Sequence, residues 1–320
     1  MAQKLMQTIK NGEFLLLRLS KTLPSAVLTA FVMIAAGISA VGCKSVNIAV
    51  EEVNPLDLID SRSAFYIRIP KAVDSNLISR MIQNNIHGLS EGDARKISER
   101  IDTVYLGMKK SKKSVDFQIA SSCSFPRIAV SSAFSKKNGW TSDRLVLEGS
   151  DKNDVSYTVY NNSGLLASFP SEKIALIGRA VPDMVERYHY ISQNLEFEDS
   201  FSLDDDIYEW LSYEEGFYDG QIRFYATKPQ SFLTTLIGAN LNFKLMYVKG
   251  FLENDVDNKN QYVAQLEFEF RDPRVVGAAK AMLEVAFGLT DSSVKRTSGT
   301  HLIVSEIKID KRQLYKILVL

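Results

Sequence analysis

Between Leu23 and Gly42 the chain runs twenty residues without a charged side chain. About 20 apolar residues are enough to enter a bilayer, so this stretch has no place on the surface of a water-soluble fold. A basic stretch precedes it, with Lys4, Lys10, Arg18 and Lys21 against Glu13 alone. Towards its end the residues turn small at Gly37, Ser39, Ala40 and Gly42, and Cys43 follows. Pro24, Ser25, Thr29, Gly37 and Ser39 make a poor permanent membrane helix but an ordinary export-signal core. An uncleaved anchor and a plain secretory leader are the alternatives, and Met6 or a later residue competes as the initiator. On every one of these readings the folded part is sent out of the cytosol.

The run Ala40-Val41-Gly42-Cys43 resembles the lipobox of bacterial lipoproteins, the apolar–small–small–cysteine pattern read by a lipidating transferase and by signal peptidase II. Most families have Leu where Ala40 stands; Ala is more usual in the relaxed lipoboxes of spirochaetes. The resemblance implies that residues 1–42 are a signal peptide and that Cys43 becomes the lipid-bearing first residue. Two or three acyl chains, at ~0.8 kcal/mol per buried methylene, would then hold the protein permanently on a membrane. The implied location is the cell envelope, on the inner or outer membrane, facing the periplasm or the surface. With Cys43 modified, Cys123 has no partner for a disulfide, and it reads as a small core residue at a strand end.

Charge narrows the partners. Lys plus Arg equals Asp plus Glu at 38 each, but the leader holds a surplus of three positive charges, so the remaining 278 residues stand at about −3. A mildly acidic body is not built to neutralise phosphates, so no nucleic acid is expected as a partner.

Beyond a tether over 43–63, one pattern of elements occurs twice. A strand at Phe65–Pro70 leads into an amphipathic helix carrying Val73, Leu77, Ile78, Met81 and Ile82 at helical spacing. A short helix, strands at 101–108 and 115–119, a helix opened by Pro126 and three further strands follow, then a helix over 182–193. Asn161-Asn162-Ser163-Gly164 predicts a tight turn between two of those strands. The second copy has a strand at Ile222–Ala226, a short helix from Pro229, a hairpin of Phe243–Leu252 with Tyr262–Phe270, a helix from Pro273, a strand at Leu302–Ile309 and a final helix. Pro126-Arg127 and Pro273-Arg274 are the matching anchors. This order predicts an α+β fold of two tandem ferredoxin-like (βαββαβ) domains, 64–195 and 220–320. One continuous antiparallel sheet with helices on one face is the alternative.

The expected linker, 196–219, holds ten acids, no Lys or Arg, and seven interleaved aromatics. Asp204-Asp205-Asp206 lacks the alternate carboxylate spacing of a calcium loop, and the segment reads as a solvated connection stapled by its rings. Lys109, Lys110, Lys112 and Lys113 surround a hairpin tip, where lysines usually block edge-to-edge pairing; beside a membrane they are candidates for headgroup contact. In the helix after Pro273, Val275, Val276, Ala279, Met282, Leu283, Ala286 and Phe287 form a wide apolar stripe. Such a helix packs on a sheet or turns part of its surface to lipid. The second reading makes the chain similar in kind to treponemal membrane-associated lipoproteins with amphipathic helices.

Chemistry finds no foothold. His87, His189 and His301 have no nucleophile or ligand at useful spacing, and no P-loop, HExxH, GxSxG or CxxC occurs. No catalytic residue, metal site or cofactor is expected. The leading expectation is a non-catalytic, membrane-anchored binding or scaffold module with lipid or envelope-protein partners. A carrier of an apolar ligand comes second and an envelope hydrolase third.

Overall fold

Period-2 alternation gives a strand one face for a core and one for solvent or a second layer. In this chain it produces twelve strands in one sheet. The computed structural model describes residues 52–85, 90–110, 115–150, 152–196, 202–212, 220–230, 233, 244–288 and 293–318. The strands are β1 (Phe65–Pro70), β2 (Ile101–Lys110), β3 (Val115–Cys123), β4 (Thr141–Glu148), β5 (Asp154–Asn162), β6 (Leu165–Ser171), β7 (Ile174–Gly178), β8 (Ile222–Ala226), β9 (Leu245–Asn254), β10 (Gln261–Phe270), β11 (Val294–Arg296) and β12 (His301–Asp310). Their order across the sheet is β11-β12-β10-β9-β8-β1-β2-β3-β7-β6-β5-β4. Among the described residues the α-helices are α1 (Lys71–Asn85), α2 (Glu91–Ser98), α3 (Arg127–Ala133), α4 (Val181–Ser192), α5 (Asp205–Ser212), α6 (Val276–Phe287) and α7 (Lys311–Leu318).

Two tandem ferredoxin-like domains are not what forms. The split βαβ arrangement sets a third strand between the two that a helix joins, whereas here β1 and β2, joined through α1 and α2, are direct antiparallel neighbours, as are β10 and β12, joined through α6. The fusion happens at β1, which is paired along both edges. Phe65 stands opposite Met108 of β2 on one side and Ala226 of β8 on the other. The two sequence copies therefore share one ladder instead of closing separate sheets. The first copy also extends outward through β7, β6, β5 and β4 as a meander. Its β5–β6 turn has Ser163 and Gly164 at positive φ (53° and 90°), the backbone twist that suits a two-residue hairpin.

Helices cover both faces of the sheet. On the front, Phe65, Ile67 and Ile69 of β1 share a core with alternate residues of β10 (Tyr262, Ala264, Leu266, Phe268, Phe270). Leu77, Ile78 and Met81 of α1, Val276, Ala279 and Leu283 of α6, and Leu314 and Leu318 of α7 close that core. On the back, Tyr66 packs with Met184 and Val185 of α4, and with Ile207 and Leu211 of α5. Val53, Leu56, Leu58 and Ile59, around a 3-10 turn at Pro55–Leu58, also belong to the back core. Val53 is thus already packed, ten residues before Ser63, where the tether was expected to end.

The acidic segment is partly built into the fold. Leu203, Ile207 and Leu211 are buried, and Asp205 and Asp206 stand in the first turn of α5, where the helix dipole favours negative charge. Trp210 Nε1 donates to the Phe224 carbonyl at 3.0 Å, with Lys249 Nζ 4.5 Å above the ring. Trp210 thus ties this part of the segment to β8, while Phe197, Phe201, Tyr213, Phe217 and Tyr218 lie outside the described residues. Of the helix expected from Pro229, nearly all lies outside the described residues.

Candidate functional site

The helix that the sequence marks by its apolar stripe is set in place at both ends. Asp272 Oδ1 accepts the Arg274 amide at 3.0 Å in a 3-10 turn that leads into α6, and Gly288 ends the helix with φ 63°. Val276, Ala279 and Leu283, spaced i, i+3, i+7, are wholly buried against the sheet, and Val275 and Phe287 are half-buried against the same core. Met282 (45% exposed) and Ala286 face outward, where Val285 (84% exposed), Ala278 and Ala281 join them. The stripe expected as one surface is therefore divided. Its polar residues, Lys280 and Glu284, pair on the flank at 3.6 Å. A helix that holds the core with one row and still turns a second apolar row to solvent has surface to spare for another apolar medium. Fully burying one Val or Met side chain contributes about 1.5–3 kcal/mol.

A second exposed apolar residue belongs to another helix. Ile128 of α3 is 78% exposed. The α3 segment is seated by rings: Phe134 lies 4.7 Å from Trp140, 5.1 Å from Tyr160 and 5.0 Å from Phe169, and Phe125 lies 5.8 Å from Phe169. Phe125 and Phe169 pack against the front core that α6 covers.

The expected headgroup lysines are only partly in view. Lys109 is exposed near the end of β2 and Lys110 ends that strand, while Lys112, Lys113 and Cys43 lie outside the described residues. At the base of the hairpin a cavity of about 390 Å³ is lined by Lys109, Arg179 and a buried network. In that network Gln118 Nε2 donates to Asp60 Oδ1 at 2.6 Å, and Arg62, which pairs with Asp60, reaches Asp183 at 2.9 Å. A larger groove of about 920 Å³ runs between α1 and α7 and is lined almost wholly by charged and amide side chains, among them Asp74, Arg80, Lys311 and Arg312. Sequence reasoning did not single out either site, because each is assembled from residues more than fifty positions apart.

The titratable residues are occupied structurally. His189 is fully inside: Tyr157 Oη lies 3.1 Å from Nδ1, and Nε2 meets the Glu148 carbonyl at 2.8 Å. His301 sits 3.7 Å from Glu267, and His87 is outside the described residues. Cys123 is buried at the end of β3, where burial pushes its thiol up to about 12. Among the described residues no three His, Cys, Asp or Glu converge as a metal site, and no helix is long and apolar enough to cross a membrane.

Comparison with known proteins places these features. The family model of outer membrane-associated lipoprotein TP0453 matches residues 50–315. The outer membrane protein TP0453 of Treponema pallidum (strain Nichols) is 32% identical over 108 residues, 32% of this chain and 36% of the relative's length. Two solved structures, crystal forms I and III of TP0453, superpose with TM-scores of 0.63 and 0.60 at 20% identity, each covering 84% of this chain and 98% of the other. The likeness to treponemal membrane-associated lipoproteins that the apolar helix after Pro273 suggested is met by the body of the chain: it belongs to the outer membrane-associated lipoprotein TP0453 family, the lipid-anchored proteins of the cell envelope.

Proposed function

We propose that the protein is a non-catalytic binding or scaffold module, anchored through lipid on Cys43, that presses the outer row of α6 into the membrane surface. The observation that carries this reading is the second apolar row of α6, with Val285 and Met282 in solvent while Leu283 beside them is wholly buried. An amphipathic helix of this kind lies in the interface with its apolar side among the acyl chains. An enclosed carrier of an apolar ligand has less support, since the two cavities described are lined mainly by charged and amide groups and an acyl chain finds little apolar wall there.

The test uses the lipidated protein on phospholipid vesicles. Its intact mass should show a diacylglycerol-bearing Cys43 as the first residue. An environment-sensitive fluorophore at Val285→Cys should shift to the blue on vesicles, while the same probe at Lys280→Cys on the flank shifts less. Equal, water-like emission at both positions would remove α6 from the membrane contact.

A further inference from the structure

Resting on that anchor, the position of Glu52 limits how the body can stand on the bilayer. Glu52 pairs with Lys173 at 2.8 Å, in the turn between β6 and β7. The Cys123 amide donates to the Lys173 carbonyl at 2.9 Å, so Glu52, the exit towards Cys43, lies beside the end of β3. From Cys43 to Glu52 there are nine Cα–Cα steps, a leash of at most ~32 Å at full stretch. The lysine hairpin lies at the other end of β3. Val115, opposite Lys110, is eight residues from Cys123, which at ~3.3 Å per residue is ~26 Å. A pose standing on the hairpin would stretch the leash close to its limit.

Next to the exit lies α3. Its Arg127 amide reaches Glu172 Oε1 at 3.5 Å, and the Phe125 amide donates to the Glu172 carbonyl, one residue from Lys173. Residues 127–138 contain Arg127, Lys136 and Lys137 and no acid, with Ile128 exposed among them. Positive charge around an exposed apolar side chain is the chemistry that an anionic bilayer surface receives. The body as a whole is mildly acidic, so this local surplus stands out against it.

We propose that the surface meeting the bilayer nearest the anchor is the α3 segment, 127–138, with Ile128 as its apolar contact, and that the hairpin at Lys109 points into the aqueous space. The lysine hairpin is then an aggregation-blocking turn and not a headgroup contact.

The experiment places a fluorophore at Ile128→Cys or at Lys109→Cys in the lipidated protein, bound to vesicles of phosphatidylcholine with phosphatidylglycerol. Cys43 carries lipid and Cys123 is buried, so the introduced thiol is the one that reacts. The label at 128 is expected to shift to the blue and resist an aqueous quencher, and the label at 109 to stay quenchable. Inserting a flexible Gly-Ser segment between Asn47 and Glu52 should reduce the protection at 128. Floating protein with an unprotected label at 128, with protection at 109 instead, or with protection unchanged by the longer leash overturns this inference alone. Protein that does not float, or whose mass shows a bare Cys43, overturns the anchor and this inference with it.

Discussion

Asp57 shows how little a residue's type says about its burden. It stands in the 3-10 turn that sequence reasoning assigned to a flexible tether, half-buried between the back core and Tyr208. Burial pushes its carboxyl above the ordinary value, and the hydrogen bond from Tyr208 opposes the shift. A carboxyl raised in the folded state keeps its proton there longer than in the unfolded chain, so its contribution to stability falls as pH rises from about 4 through the raised value. Asp57→Asn is therefore expected to be more stable than the parent at neutral pH and to show a flatter dependence above about pH 4. Urea unfolding at a series of pH values reads this directly, and an Asn variant less stable at neutral pH would contradict it. At Gly250, too, nothing in the sequence announces that a Cβ would overlap the Gln265 carbonyl and meet the Phe224 ring at 3.0 Å.

The elements divide by whether period alone decides their packing. In α6 the inward row is the one the 3.6 period selects, and the row beside it is equally apolar, so the sequence left open which part of the stripe the sheet would take. The structure gives Leu283 to the core and Val285 to solvent. Leu283→Ala should accordingly cost about 2–5 kcal/mol by leaving a cavity, whereas Val285→Ala should stay within about 0.5 kcal/mol. Comparable losses from both in chemical denaturation would mean that α6 is covered on two sides. In α1 the pattern concealed a break. Asp74 has φ −155° and ψ 87° inside the helical run, and its carboxylate caps Leu77 at 2.9 Å and receives the Tyr262 hydroxyl at 2.5 Å. Lys311 of α7 lies 3.6 Å from the same carboxylate. A buried carboxylate needs such partners, and they come from β10 and α7, far along the chain, so periodicity could not show them.

At the scale of the whole molecule, the β1–β8 ladder makes one body of what the sequence presents as two similar halves. Its front core draws on β1, β2 and β8 to β12 together. Unfolding is therefore expected to be a single cooperative transition. The two tryptophans report on different halves: Trp140 is buried beside Phe134, and Trp210 is bonded to β8. Trp140→Phe and Trp210→Phe variants should lose fluorescence signal with coincident denaturant midpoints and with the loss of far-ultraviolet dichroism. Two separated transitions would show that the halves fold independently despite sharing an edge.

Local pattern determined a good deal. Most strands, the tight turn at Ser163-Gly164 and the apolar helix after Pro273 all follow from side-chain type and spacing within a dozen or so residues. Tertiary structure decided the rest. A strand's alternation fixes which of its faces is apolar but not which edge it will meet, and β1 paired with β8 across more than 150 residues because antiparallel edges on both sides could satisfy its backbone at once. The same reason applies to the back core, to the outward row of α6 and to the place where the leash leaves the body. Each depends on contacts between segments whose proximity is set only when the sheet is complete.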